Sequence, residues 1–184
     1  MDDIEVRAVR PDEWRAVREL RLAALQDDAA PLAFFDTYES AVKQPDSFWQ
    51  ERAAGARQFV AVGAGGEWVG GLAVLVEEAG SLDWAGLPVE RRQGQVVGVY
   101  VRPAARGGGV VVGGLFRAAL EYAWEIGLDR VRLLVHEENR RAVTAYERIG
   151  FVASGVVVPI EGADGNELEY VYARAPKGTR SSER

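Results

Sequence analysis

Hydrophobic and polar residues alternate along some segments of the chain and recur at helical spacing along others. Segment 4–9 alternates with a period of two, which predicts a strand with one buried face. Apolar residues over 12–26 recur at three- and four-residue intervals and predict a first helix. A weaker helical pattern over 37–55 predicts a second helix that Pro45 interrupts, and residues 27–31 between the two helices are predicted as a turn.

Strand patterns dominate the middle of the chain. Segments 59–62 and 68–76 are separated by a short glycine turn and predict a β-hairpin. Segment 95–101 predicts a third strand, which Pro103 ends. Residues 77–94 are polar and punctuated by glycine and proline, so they predict a long loop of a kind that is often functional.

The second half of the chain alternates helix and strand. Residues 107–124 carry an apolar stripe (Val112, Leu115, Phe116, Ala119, Leu120 and Ala123) and predict a helix capped by Gly127. A buried strand is predicted over 131–135 and a short helix over 140–148, closed by Gly150. Segments 151–153 and 168–172 predict two closing strands.

This order of elements predicts an α/β (α+β) fold in which helices flank a mixed, mostly antiparallel central sheet. The 184 residues suit one domain, which we place at 1–175, followed by a disordered tail at 176–184.

Composition removes several classes of function. Cysteine is absent, which excludes disulfides, thiolate zinc sites and a cysteine nucleophile, and we predict no metal site. The formal net charge of -6 disfavours nucleic acid as a partner. No apolar run approaches the roughly 20 residues of a membrane span, and the acidic N-terminus lacks an apolar leader core, so we expect a soluble, cytoplasmic protein without a membrane partner.

A glycine-rich turn joins the predicted strand 95–101 to the following helix: Arg106-Gly107-Gly108-Gly109-Val110-Val111. The first N–H groups of a helix have no internal acceptor, so such a turn offers a site for phosphate oxygens. The alternative is that the glycines only form a tight turn. A Walker-type loop needs Lys and Ser or Thr after its last glycine, and the dinucleotide fingerprint needs a sixth-place glycine where Val112 stands, so both motifs are rejected.

Asn139 and Tyr146 are seven residues apart, which places them two turns apart on nearly one face of the predicted helix. From there both side chains can act on one ligand. Taken singly, Asn139 is also explained as an N-cap and Tyr146 as a half-buried aromatic residue.

Together the two motifs resemble the signatures of the GNAT superfamily of N-acetyltransferases. The first is the strand and glycine turn over 99–111, and the second is 139–151, with asparagine, alanine three places on, tyrosine, a basic residue, glycine and phenylalanine. The resemblance spans about residues 4–173, and the N-terminal part is similar to that of bacterial-type members.

The resemblance implies acetyl-CoA as co-substrate and a role for each matched residue. The strand residues Val99, Tyr100 and Val101 would pair with the pantetheine arm, and Asn139 would bond it. The backbone at Arg106, Gly107, Gly108, Gly109, Val110 and Val111 would hold the pyrophosphate. Tyr146 occupies the position of the catalytic proton donor. Val111 stands where the family has glycine or alanine, so we expect it to crowd the pyrophosphate and expect Val111→Gly to raise coenzyme A affinity.

Some family members carry a base on the strand before the glycine turn, but this chain has Gln95, Val96 and Val97 in that region. The other candidate bases are His136 and four carboxylates: Glu77, Glu78, Glu137 and Glu138. A water relay or an already neutral amine would need none of them.

The resemblance also places the acceptor, a primary amine of a small molecule or peptide, near Tyr38, Glu39 and Trp84. Exposed sheet edges of this fold often pair, which is compatible with a homodimer. A module that binds acyl-CoA as a sensor, and a purely structural domain, stay open as alternatives.

Overall fold

The computed structural model describes residues 4–83, 86–162 and 164–175. In this part of the chain seven strands form one sheet in the order β1-β2-β3-β4-β5-β7-β6. The strands are β1 Glu5–Ala8, β2 Arg57–Val62, β3 Trp68–Glu77, β4 Gln93–Val101, β5 Arg130–His136, β6 Val152–Pro159 and β7 Asn166–Ala173. The β4–β5 pair is parallel and the other neighbours are antiparallel, which confirms the predicted mixed sheet.

Helices cover both faces of the sheet. They are α1 Trp14–Leu25, α2 Ala30–Ala33, α3 Tyr38–Ala41, α4 Asp46–Ala54, α5 Val110–Glu125 and α6 Arg140–Ile149, with 3-10 turns at Pro11–Glu13 and Pro103–Ala105. A Cβ added to Gly70 would meet Val111 of α5, and one added to Gly71 would meet Leu20 of α1. Because neighbouring strand residues point to opposite faces, α1 and α5 lie on opposite faces of the sheet.

Several predicted boundaries differ from the structure. Segment 27–31, predicted as a turn, runs into the short helix α2. The interruption predicted at Pro45 is confirmed: the helical segment 37–55 is divided into α3 and α4, with Pro45 as the N-cap of α4, because proline cannot continue a helix from the preceding residues. The strand predicted over 151–153 extends to Pro159 as β6. The predicted tail at 176–184 lies outside the described residues.

The helix α5 begins three residues later than predicted, at Val110 rather than Gly107. Gly107, Gly108 and Gly109 have φ angles of 127°, 60° and 73°, in the left-handed region that an α-helix does not use. The buried side of α5 is formed by Val111, Leu115, Phe116, Ala119 and Ala123. Val111 therefore belongs to this side, whereas the predicted stripe members Val112 and Leu120 are only partly buried.

The structure places Val111 both in the core and at the cavity described below. Its side chain is 5% exposed and packs in the core beneath the sheet, and the residue also lines the cavity. A Cβ added to Gly70 would lie 3.2 Å from its Cγ1, so the valine fills the space beside that glycine.

The buried packing of Val111 predicts that Val111→Gly destabilises the protein. The variant loses a buried valine and gains a helix-interior glycine, which together cost about 2 to 3 kcal/mol. Val110→Gly is the matched control, because Val110 is 70% exposed. Thermal melts should show a clear fall in melting temperature for Val111→Gly and a small fall for Val110→Gly. Tighter coenzyme A binding by Val111→Gly would instead support the explanation that Val111 crowds the pyrophosphate.

The two strands of the parallel pair separate. Register pairing between β4 and β5 covers only Gly94 with Val131 and Gln95 with Arg132. Beyond these residues, no strand of the described chain pairs with the β5 side of β4 from Val96 onward, although β5 continues to His136 and pairs with β7 along its full length. The sheet is therefore splayed open between β4 and β5.

A network of buried charges lies at the end where β4 and β5 are still paired. The guanidinium of Arg132 donates to both carboxylate oxygens of Glu77, at 2.6 and 2.9 Å, and to Glu169 at 3.0 Å. It also reaches Asp83, at 3.1 Å, in the loop between β3 and β4. Arg132 thereby joins three strands, β3, β5 and β7, to this loop.

None of the described helices combines the length and the apolar character required to cross a membrane.

Candidate active site

The splay between β4 and β5 opens into a cavity of about 600 Å³. Its walls come from β4, β5, α2, the glycine turn, the first turns of α5 and the inner side of α6. The cavity passes through the sheet: Leu133 and Val135 belong to the core beneath α5, whereas Leu134 and His136 lie on the opposite face of β5. A ligand here can be reached from both faces.

The β4 wall carries a β-bulge. The register of β3 with β4 shifts between Gly71 and Ala73, where Leu72 opposes the two β4 residues Gly98 and Val99. Gly98 adopts a φ of 64°, a conformation that favours glycine. The bulge redirects the peptide groups of β4 at the splay, where Val99, Tyr100 and Val101 line the cavity.

The glycine turn forms the end of the cavity. Gly107, Gly108 and Gly109 are exposed and line it, and Gly109 is the N-cap of α5. In the described part of the chain, no backbone hydrogen bond begins at the amides of these three glycines. Those amides, with the positive end of the α5 dipole behind them, can bind phosphate oxygens.

Arg106 holds this turn against the N-terminal helices. Its guanidinium donates to the carbonyl of Val101 at 2.8 Å and to the Asp27 carboxylate after α1. Burial of Asp27 would raise its pKa, but the Ala29 N–H and Arg106 outweigh this effect and hold the pKa below its usual range. Arg106 acts here through its side chain as an anchor for the turn, a contact that the motif did not predict.

Asp27→Asn should therefore loosen the glycine turn and lower stability by about 1 to 3 kcal/mol at neutral pH. Because the folded-state pKa of Asp27 is depressed, its contribution is present above the unfolded pKa and is lost as the pH falls through the folded value. Denaturant melts should give different free energies of unfolding for the wild type and Asp27→Asn near pH 7, and similar values in acid. A difference that is the same at every pH would contradict the ionic role.

Asn139 caps α6 and also lines the cavity. Its Oδ1 accepts a hydrogen bond from the Ala142 N–H at 3.3 Å, as the N-cap interpretation predicts. The cap uses only the oxygen, and among the described residues no hydrogen bond involves the amide Nδ2. That group can donate to a ligand while the cap is kept.

Tyr146 lies on the inner side of α6 and is buried, with its ring packed edge-on against Phe116 at 5.4 Å between centroids. No hydrogen bond within the described chain ends on its hydroxyl, and the residue lines the cavity. Burial raises its pKa, and the negative charge of Glu167 raises it further. The hydroxyl is therefore protonated at neutral pH.

Among the candidate bases, His136 is the one that lines the cavity, but its ring is engaged on both sides. Nδ1 accepts the Glu138 N–H at 3.1 Å, and Nε2 lies 3.4 Å from the Asp164 carbonyl oxygen. Nδ1 is thus occupied as an acceptor, and Nε2 is within reach of a carbonyl to which it can donate.

The four carboxylate candidates are engaged or exposed outside the cavity lining. Glu77 is ion-paired with Arg132 and Glu78 with Arg92. Glu137 accepts from the backbone N–H and side-chain amide of Asn166, and Glu138 is exposed.

The residues expected to line the acceptor site do not line the cavity where the structure describes them. Tyr38 packs against the smaller core of α1 and α4, Glu39 is exposed, and neither is among the cavity residues; Trp84 lies outside the described residues. Leu32, Ala33 and Phe34, at and after α2, line the cavity instead.

Two features of the site were not predicted. Arg140, Arg141 and Arg148 of α6 line the cavity and give it positive charge suited to an anionic ligand. Glu167 of β7, a buried carboxylate, also lines it. The alternating pattern of β7 indicated which residues share a face, but not that β7 lies beside β5.

Comparison with known proteins agrees with this architecture. The family model for the acetyltransferase (GNAT) family matches residues 14–151, which include both motifs and most of the cavity. The chain belongs to the GNAT acetyltransferase family. A mycothiol acetyltransferase from Streptomyces scabiei is 38% identical over 81 residues, which are 44% of this GNAT chain and 26% of that protein. The chain thus matches about a quarter of the length of this curated relative.

Solved structures share the GNAT fold at low sequence identity. Arabidopsis thaliana NAA60 in complex with acetyl-CoA has a TM-score of 0.68 and 17% identity, covering 93% of this chain and 98% of that one. The ribosomal-protein-S5-alanine acetyltransferase of Vibrio fischeri has a TM-score of 0.68 and 14% identity, covering 95% and 97%. These similarities establish the fold of this GNAT chain.

The described residues fit acetyl-CoA. The open β4 edge, the unpaired glycine amides and the α6 arginines offer backbone partners for an extended arm and positive charge for a diphosphate. No cluster of three or more metal-ligating side chains occurs among the described residues.

Proposed function

We propose that this protein is an acetyl-CoA-dependent N-acetyltransferase that transfers the acetyl group directly to a primary amine of a small molecule or peptide. The observation that carries the proposal is the placement of Tyr146, Asn139, β4 and the glycine turn around one cavity that crosses the sheet. A cofactor arm laid along β4 reaches this cavity from the glycine turn, and an acceptor reaches it from the opposite face.

In the proposed reaction the chain binds acetyl-CoA, orients it and supplies a proton. The glycine-turn amides and the N-terminus of α5 hold the diphosphate, and the β4 backbone and Asn139 Nδ2 hold the arm. A β4 amide at the splay stabilises the oxyanion that forms at the thioester carbonyl. Tyr146 donates its hydroxyl proton to the departing thiolate.

A sensing module that binds acyl-CoA without transfer is the second candidate. Two features of the sequence favour it: Val111 stands where the family has a small residue, and no carboxylate is present at 95–97 on the strand before the glycine turn. The core position of Val111 and the presence of Glu167 in the cavity weaken both arguments.

One assay separates these functions. The protein is incubated with acetyl-CoA and a panel of amines (spermidine, L-lysine and a tetrapeptide with a free N-terminal alanine), and thiol release is compared with acetylated product by mass spectrometry. Transfer predicts equal amounts of thiol and acetylated amine for at least one acceptor. Binding of acetyl-CoA without any product would support the sensing module, and failure of acetyl-CoA to raise the melting temperature would refute both.

A further inference from the structure

Glu167 is a buried carboxylate that lines the cavity of the proposed site. It is 8% exposed, and no hydrogen bond or ion pair of the described chain ends on its side chain. Buried carboxylates are nearly always paired, since an unpaired charge away from water is costly. The other carboxylate on this face of β7, Glu169, follows that rule by pairing with Arg130 and Arg132.

The position of Glu167 relates it to the acceptor rather than to the cofactor. It lies directly opposite His136 in the β5–β7 register, and directly opposed residues share a face of the sheet. This face is the one away from α5 and α6. Glu167 nevertheless lines the same cavity as Tyr146, which approaches from the other face.

His136 does not neutralise this carboxylate by a hydrogen bond, since both of its ring nitrogens face backbone groups. An incoming ammonium group would therefore find in Glu167 a carboxylate whose oxygens are not engaged by the described protein. We propose that Glu167 binds the ammonium group of the acceptor and removes its proton before acetyl transfer. This inference rests on the proposed function.

Burial raises the pKa of Glu167, although the neighbouring His136 opposes the rise, and a raised pKa makes the carboxylate a better proton acceptor. The charge of Glu167 also raises the pKa of Tyr146. Once Glu167 takes up the proton, this charge disappears, and Tyr146 becomes a stronger acid at the stage when the thiolate leaves.

The proton balance closes. The ammonium group gives one proton to Glu167, and the neutral nitrogen forms the new C–N bond with its lone pair. The C–S bond breaks, the sulfur leaves with the electron pair, and it receives the proton of the Tyr146 hydroxyl. The proton remaining in excess on the amide nitrogen returns to the Tyr146 oxygen, and Glu167 releases its proton to solvent.

The test compares Glu167→Gln with the wild type on the amine that the wild type acetylates fastest in the panel above. At neutral pH we expect kcat/KM for the amine to fall about 100-fold with unchanged acetyl-CoA affinity by calorimetry. Glu121→Gln, the same change at an exposed position on α5, should retain wild-type kinetics.

A pH series distinguishes proton removal from a structural role. Among the described residues, the ionisable groups that interact with Glu167 are His136 on β5 and Tyr146 on α6, and its β6 partner Val158 carries no charge. As the pH rises toward the amine pKa and the free amine becomes neutral, Glu167→Gln should recover toward the wild type, and Glu167→Asp should retain part of the activity at neutral pH.

Wild-type kinetics for Glu167→Gln, or a defect that is the same at every pH, would overturn the inference while leaving the proposed function in place. If the wild type acetylates no amine in the panel, the proposed function fails and this inference fails with it.

Discussion

Replacing Tyr146 by phenylalanine is expected to lower the turnover number about 100-fold or more while leaving acetyl-CoA binding unchanged. The hydroxyl is the only group removed, and it makes no hydrogen bond within the described chain, so the fold and the ring packing against Phe116 should persist. Turnover should fall because the departing thiolate loses its proton donor. Steady-state kinetics and calorimetry on the same preparation measure the two quantities.

Tyr170→Phe provides the control for loss of a buried tyrosine hydroxyl. Tyr170 is also buried, its hydroxyl donates to Glu147 at 3.1 Å, and it does not belong to the cavity lining. Its replacement should alter stability slightly and turnover little. Equal turnover by Tyr146→Phe and the wild type would remove Tyr146 from the chemistry.

Removing Arg132 should produce the largest loss of stability. Arg132→Ala leaves buried Glu77 and Glu169 without their shared cation, and breaking a buried ionic network in this way costs about 3 to 5 kcal/mol. For a protein of this size that corresponds to a fall in melting temperature of roughly 10 °C. The loop between β3 and β4 should also become more accessible to protease, because Arg132 contacts Asp83 within it.

Arg91→Ala is the matched control, since Arg91 forms an ion pair with Asp129 in which both side chains are exposed. Such a pair contributes about 1 kcal/mol or less. Similar melting temperatures for the two variants would show that the Arg132 network contributes no more than a surface pair.

Local patterns predicted the elements of this fold well where they were long and regular. The strand patterns of β2, β3 and β4 and four of the six predicted apolar positions of α5 (Leu115, Phe116, Ala119 and Ala123) are properties of neighbouring residues, and the structure confirms them. The boundary at the glycine turn was wrong because three successive glycines allow either a helical start or a left-handed run.

The site was predicted only where its residues lie in motifs. The cavity brings together Val99, Tyr100, Val101, Asn139 and Tyr146, which the sequence had grouped by resemblance. Glu167 and Phe34 were missed because their place in the cavity depends on the lateral order of β5 and β7 and on the path after α2. Those are contacts between distant parts of the chain, and the local spacing of hydrophobic residues does not predict such contacts.

The most direct test is a crystal structure of the protein with acetyl-CoA. We expect the diphosphate on the amides of residues 107–110, the pantetheine arm along β4, and the thioester sulfur within hydrogen-bonding distance of the Tyr146 hydroxyl. A bound cofactor whose sulfur lies away from Tyr146, or crystals in which the splay between β4 and β5 stays empty at saturating acetyl-CoA, would contradict it.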